Sequence, residues 1–445
     1  MLAKPTITIL GPDPSHRRCV LNGNAFQQDA IASFRGWQYA AFYSFLDAPE
    51  PLYIHLGRRK LPTGPWEVLL LKDYPQTTDD GHNTVQLGIC PGDGSIHLSF
   101  DHHCDKLRYR ISKPSVALDP PSYPWSPDLF FPTQEHLPGL PKTHTPFHYV
   151  TYPRFLPIPD SGELLFTLRD GKAGLGNDHL YLYARSPSES SYTFTYLGQY
   201  LTGRWSNPYI HGLDYRAGKV HVTWVWREWV CYKGWDDPAD TQHKMQAGPN
   251  GAENNRDMCY AWSPDLGRTW KNSDGATIAD LAKEETIDND SKGITAFSIP
   301  KGSGLTNQEA QVVDGGGGVH VLNRDTLDGK VIWRHYHRSP DAGVWTKRPV
   351  CPAPGSARGK LAVTAGGDLY FILPDREKSE LRILRGTSAT GFSAYDEVWA
   401  GKGLSGEPLI DMSRLEDDGT LSVFLRMDFP GSEKRKNVVV LDFQL

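Results

Sequence analysis

Two short stretches hold the densest set of titratable side chains in this sequence: Asp79-Asp80-Gly81-His82-Asn83-Thr84 and Ser99-Phe100-Asp101-His102-His103. Histidine titrates nearest neutrality, so it can take up or deliver a proton without a large perturbation. A lone histidine reads as a surface or capping residue. Two sets flanked by Asp and Asn, at matching ends of neighbouring strands, read better as a site. The pattern recurs in Thr151-Tyr152-Pro153-Arg154-Phe155 and Phe166-Thr167-Leu168-Arg169-Asp170, where Tyr152 opens one strand and Arg169 closes the next. A guanidinium grips a planar carboxylate through paired hydrogen bonds, and a phenol offers a second proton-transfer group. Gly171, Gly174 and Gly176 suggest backbone lying close to a ligand. An acid, a base and a carboxylate neutraliser are what β-elimination beside a carboxylate requires, because loss of the α-proton leaves an enolate-like anion. Weaker candidates for binding sugar hydroxyls sit at analogous strand ends: Arg227 with Glu228, Asn307 with Gln308, and an aromatic wall of Trp205, Tyr209 and His211.

The elements that must position these residues are strands. Seven stretches alternate apolar and polar residues behind a Gly turn: GWQYAAFYSF, GSIHLSFDHH, GELLFTLRDG, GKVHVTWVWRE, GVHVLNRD, GDLYFILPD and GTLSVFLRMD. Helical periodicity is almost absent. Third strands end in a recurring Ser (Ser112, Ser186, Ser263, Ser339). One copy, Ser263-Pro-Asp265-Leu-Gly267-Arg-Thr269-Trp270, is a complete Asp-box, and Ser339 to Trp345 is a shortened one. There the Asp can accept backbone N–H bonds while the Trp packs beneath the hairpin. One blade cannot bury both of its faces, so the reading is an all-β, seven-bladed propeller occupying residues 1–445 as one catalytic domain. The apolar terminal stretch NVVVLDF is expected to close the ring with the N-terminal segment.

Bulk composition narrows the function. The 445 residues carry a formal net charge of -5, which argues against a nucleic-acid partner. No run is apolar enough to span a membrane. Six scattered cysteines lack zinc spacing and leave disulfides open. The N-terminus MLAKPTITILGPDPSH has no signal-peptide pattern, although an extracellular setting is expected. The acidic insert over 235–257 reads as a loop that could hold a structural Ca²⁺. No cofactor is required if Arg169 neutralises the carboxylate, and a monomer is expected.

Taken together, His82-Asn83, Asp101-His102-His103, Thr151-Tyr152-Pro153 and Arg169-Asp170-Gly171 resemble the propeller polysaccharide lyases, including the ulvan lyases of families 24 and 25. From NGNAFQQDAI and RGWQYAAFY through NQEAQVVD, the chain is more similar to fungal rhamnose–glucuronate lyases acting on gum arabic side chains, which in turn resemble glycoside hydrolase family 145. The resemblance implies cleavage of a rhamnosyl-α-1,4-glucuronate linkage, releasing L-rhamnose and a 4,5-unsaturated glucuronate. It implies His82, His102, Tyr152 and Arg169 as catalytic residues: His102 moving the proton, His82 its partner, Arg169 neutralising the carboxylate. Substrate contacts are then expected from Asn83, His103, Tyr149, His211, Arg227, Asn307 and Gln308. The Tyr-to-Arg spacing is one residue longer than the family pattern, which leaves Tyr149 as an alternative to Tyr152. Gln38 stands where the hydrolase relatives place a histidine and cannot shuttle a proton, which favours elimination. The rival readings are a family 145-like hydrolase, a sialidase suggested by the Asp-box, and a non-catalytic glycan-binding propeller.

Overall fold

The computed structural model describes residues 1–186, 191–237, 239, 249–341 and 343–445. Among these, the strands form seven antiparallel sheets, numbered here as blades I to VII in chain order. Blade I spans residues 31–76, blade II 85–111, blade III 150–201 and blade IV 206–297. Blade V spans 310–352, blade VI 360–402, and blade VII begins at residue 404. The molecule is a seven-bladed β-propeller. Each of the seven Gly-led stretches is the second strand of a blade, from Trp37–Ser44 to Thr420–Phe429.

Burial explains why these strands are apolar on both sides. Val85–Ile89 and Ile96–Phe100 are buried at every position. The outermost strand Trp345–Pro352 has no fully buried residue. The reason is packing: the apolar clusters lie between neighbouring blades, blade I against II through Leu56, Leu71, Leu87 and Leu98, and so on round the ring. An inner strand therefore meets another sheet on each face, as in stacked sheets. Blade II has only three strands, and bridges from Tyr109 to Gln134 and Ser112 to Phe130 cover its outer edge.

The Asp-box forms as its sequence requires. Asp265 accepts the Thr269 backbone N–H (2.8 Å) and hydroxyl (2.8 Å), Ser263 Oγ accepts the Gly267 N–H (2.7 Å), and Trp270 is fully buried, stacked on Tyr200. The ring closes in blade VII, where Thr6–Pro12 pairs antiparallel with the C-terminal strand Ser432–Gln444. The N-terminal strand is thus the outermost of the last blade.

All six cysteines are free thiols, with Cys90, Cys104 and Cys259 buried. Among the described residues, no helix is long and apolar enough to cross a membrane. Residues 238 and 240–248 of the acidic insert lie outside the described residues.

Candidate active site

Inner strands all start at one mouth of the propeller and second strands all end there, so that mouth collects the residues flanking them. His82 precedes the first strand of blade II, and Asp101 to His103 follow the second. Tyr152 lies near the start of Val150–Ile158, and Arg169 near the end of Glu163–Lys172. Pairing between these two strands is regular except where Thr167 faces Arg154 and Arg169 faces Thr151. Tyr152 and Pro153 therefore stand together opposite Leu168, a bulge that re-aims Tyr152. Its φ of 56° is unusual for a bulky residue. Gln28, Asp101, Cys104 and Gln308, at corresponding rim positions, also have positive φ. Strained backbone of this kind collects at functional sites.

The structure brings His82 together with His103, not His102. The His82 and His103 rings stack at 3.8 Å, and their Nδ1 atoms lie 2.7 and 2.6 Å from the two oxygens of Asp80. A carboxylate only accepts, so both rings present Nδ1–H to it, and a neutral ring then carries its lone pair on Nε2. Asp80 fixes the tautomer of both. Burial works against its ionised form, but the hydrogen bonds from His103 and His82 outweigh this and hold its carboxyl well below the usual range. Burial, then the neighbouring His82 ring, lowers the His103 pKa to about 4. His102 departs from expectation. Its ring is buried and its Nε2 accepts the Arg108 backbone N–H (2.8 Å), so it pins the turn from inside.

From His82 a ring of contacts passes round the mouth and returns. Phe26 stacks on His82 (4.5 Å) and lies 5.3 Å from Tyr152. Arg358 lies over Phe26, and its Nη2 donates to Asn307 Oδ1 (3.2 Å). That oxygen also accepts from Arg227 (2.9 Å), which in turn donates to Tyr209 Oη (3.2 Å). Tyr209 accepts from Arg169 as well (3.2 Å), and Arg169 lies 4.8 Å from the Tyr152 ring, which is 5.6 Å from His82. Blades III and IV contribute strand residues, and the segments leading into blades I, II, V and VI contribute Phe26, His82, Asn307 and Arg358.

Arg169 is buried, and among the described residues it has no ion-pair partner; its Nε has no hydrogen bond. Asp178 stands opposite Arg169 across the strand pair without forming an ion pair with it, and burial raises its pKa to about 8 against the pull of Arg169 and Arg154. Burial disfavours the Arg169 charge, yet Tyr209, Cys104 and Tyr152 hold its pKa above the usual value. A buried, unpaired guanidinium is costly and calls for an anion from outside. Tyr152 stays a phenol at neutral pH: burial, then Tyr209, push its pKa above the ordinary value, while Arg169 pulls the other way.

The remaining expected contacts divide. Arg227, Asn307 and Gln308 belong to the ring, with Asn307 Nδ2 donating to Gln308 Oε1 (2.7 Å). Asn83 donates to Asp101 (2.8 Å) and ties the two histidine-bearing segments together rather than opening outward. His211 is buried against Asn323 (3.2 Å), outside the ring of contacts. Tyr149 is half-buried at the end of the short helix Thr145–His148. The glycines after Arg169 answer to packing: a Cβ on Gly176 would meet Asn207 Oδ1 at 2.7 Å and Arg169 Cδ at 2.9 Å. Gln38 sits at the far end of blade I, fully buried, donating to Asp411 (2.7 Å) and accepting from Arg59 (2.6 Å). The sequence placed Asp80 only within the titratable cluster and Tyr209 only in a weaker aromatic wall, and it gave no signal for Phe26 or Arg358.

Asp80, His82 and His103 present donor atoms within 4.8 Å of one another, as do Asp314, His320 and His337 in blade V. In both sets the histidine rings are stacked nearly parallel, at 3.8 and 4.6 Å. In-plane lone pairs of stacked rings do not converge on one point, so neither arrangement suits tetrahedral metal binding.

No curated protein matches the chain. The fold is similar to the crystal structure of polysaccharide lyase Uly1, with a TM-score of 0.69 and 18% identity over 94% of this chain and 90% of that one. It is also similar to a PL25 ulvan lyase solved bound to -[GlcA(1-4)Rha3S]-, with a TM-score of 0.65 and 13% identity over 95% and 93%. At such identities the likeness concerns the fold. Residues 37–352 match the BNR repeat-containing family, to which the chain therefore belongs.

Proposed function

We propose that this protein is a polysaccharide lyase that cleaves a glycan at a uronate by β-elimination. The carrying observation is the buried Arg169, without an ion-pair partner, beside two histidines held in one tautomer by Asp80. Arg169 receives the uronate carboxylate, lowering the energy of the anion formed when H5 leaves. A neutral Nε2 takes that proton; His103, with its pKa lowered to about 4, is the base, and His82 packs against it. The C5–H electrons form the C4=C5 double bond, the C4–O4 bond breaks, and Tyr152, still protonated, donates to O4. This keeps the His/Tyr/Arg assignment read from the sequence but moves the proton-transfer role from His102 to His103.

The preferred substrate is a rhamnosyl-α-1,4-glucuronate cap of the gum arabic type, so that the leaving group is L-rhamnose. The whole-chain resemblance supports this choice, and the similarity to an ulvan lyase structure supports an acidic glycan more generally. The test is incubation with gum arabic and with ulvan, followed by ultraviolet detection of the conjugated unsaturated uronate and identification of the released sugar. Arg169→Ala and His103→Ala should each abolish the unsaturated product. Rhamnose released without a double bond would establish hydrolysis instead.

A further inference from the structure

Across Phe26 from the histidines lies a cavity of about 400 Å³ at the same mouth, between blades VI, VII and I. That volume is within the roughly 300–1,000 Å³ of small-ligand pockets. By contrast, the cleft beneath Tyr152 and Arg169 holds only about 10 Å³, room for about one water. Four guanidiniums line the larger cavity, Arg18, Arg358, Arg376 and Arg426, and the carboxylate among its lining side chains is Glu407. Glu407 is already engaged: it pairs with Arg358 (3.2 Å) and accepts the backbone N–H groups of Ala25 and Arg358. Arg426 reaches Asp13 at 3.4 Å, and its buried Nε has no partner. Arg18 and Arg376 are exposed and form no ion pair among the described residues. In a chain of net charge -5, this cavity thus gathers four guanidiniums of which two, Arg18 and Arg376, have no ion-pair partner among the described residues.

We propose that this cavity is a subsite for a second anionic sugar, a uronate or a sulfated residue adjoining the reacting glucuronate. Guanidinium forks match carboxylate and sulfate oxygens alike. Phe26 joins the two sites physically: it stacks on His82 and carries Arg358 over its ring at 4.7 Å. A glycan with its reacting uronate over Arg169 then extends past Phe26 into the arginine pocket. The inference rests on the lyase reading and not on the singly charged rhamnosyl-glucuronate cap, and it makes the substrate an oligosaccharide charged at two neighbouring sugars rather than one.

Three oligosaccharides test it: one with rhamnose 3-sulfate beside the reacting glucuronate, its desulfated form, and one with a second glucuronate in that position. The wild-type protein should show a KM about tenfold lower for a charged neighbour than for the neutral one, as expected for hydrogen bonds to a charged group. The larger effect of the two charged forms identifies the anion. Raising the salt from 0.05 to about 0.5 M should erode the preference, since screening is strong over such distances. Arg18→Ala/Arg376→Ala, which alters only exposed side chains, should bring the charged-to-neutral ratio of kcat/KM close to one. A wild type without preference, or a preference untouched by that double variant, overturns the subsite. If no double bond forms with any of the three, the lyase reading fails. The subsite is then judged by calorimetric binding of the same uncleaved sugars, where the same loss of preference is required.

Discussion

Asp80 holds two imidazoles through two oxygens, and its chemistry depends on being an acceptor at both. An amide in its place accepts at Oδ1 but donates at Nδ2, so one ring would have to turn its lone pair toward it and carry its proton on Nε2. Asp80→Asn should therefore lower kcat by about 10²–10⁴-fold, the range for losing a proton-transfer group, with little change in thermal stability. A kcat within a few-fold of wild type would show that the tautomer is set elsewhere. The pH dependence follows from His103. With its pKa lowered to about 4 from 6.5, the ring is neutral throughout pH 5–8. As base, it should give a kcat/KM that stays flat from neutrality and falls only as pH drops through about 4; an acid limb near 6.5 would exclude it. The unfolded chain binds this proton first, so stability also declines as pH falls from 6.5 toward 4. At this scale the sequence showed the residue types and their strand ends. It did not show which of two adjacent histidines faces outward, because the turn Asp101 to Cys104 has positive φ at both ends and breaks the alternation that fixes side-chain direction in a strand.

The elements were more legible. The Gly-led stretches mark the second strand of every blade because an antiparallel blade needs a tight turn before that strand, and its residues are buried on both faces. The Asp-box was legible for the same reason: its Ser, Asp, Gly, Thr and Trp each satisfy a specific backbone or packing demand in blade IV. The Tyr152–Pro153 bulge was not. The long Tyr-to-Arg spacing pointed to an irregularity, but the turn 159–162 is flanked by regular pairing from Ile158 with Glu163 onward, and the extra residue lies at Tyr152 itself. The Asp-box supports a structural prediction. Trp270 is fully buried against Tyr200, so Trp270→Ala should cost about 3–5 kcal/mol. The urea midpoint should fall accordingly, while kcat of the folded fraction is retained because Trp270 is remote from the ring of contacts at the mouth. A change in kcat at unchanged stability would contradict a purely structural Asp-box.

A propeller has one seam where the chain must close on itself, and here the first and last strands meet in blade VII beside blade I. Hydrophobic packing across the seam, through Leu10, Phe42, Phe424 and Val440, is not the whole of it. At the end opposite the site, a buried polar lattice joins the two blades. Gln38 of blade I donates to Asp411 of blade VII (2.7 Å), and Arg59 bonds both Gln38 (2.6 Å) and Asp442 (2.7 Å). Arg414, in the helix Met412–Asp418, donates to the other oxygen of Asp442 (2.8 Å). This changes the meaning of Gln38, which the resemblance singled out only as the expected counterpart of a histidine in the hydrolase relatives. Its amide supplies a donor to a carboxylate and an acceptor to a guanidinium at once. A histidine ring, with one nitrogen accepting and the other donating in its neutral form, does not reproduce the bidentate acceptance from Arg59 Nε and Nη2. Gln38→Ala would leave a buried guanidinium and a buried carboxylate each short of a partner, which costs about 1–3 kcal/mol for each group. The variant should therefore unfold at a lower temperature than wild type, with kcat on a glucuronate glycan preserved below that transition. Loss of turnover at full thermal stability would instead place Gln38 in the chemistry and reopen the hydrolytic reading.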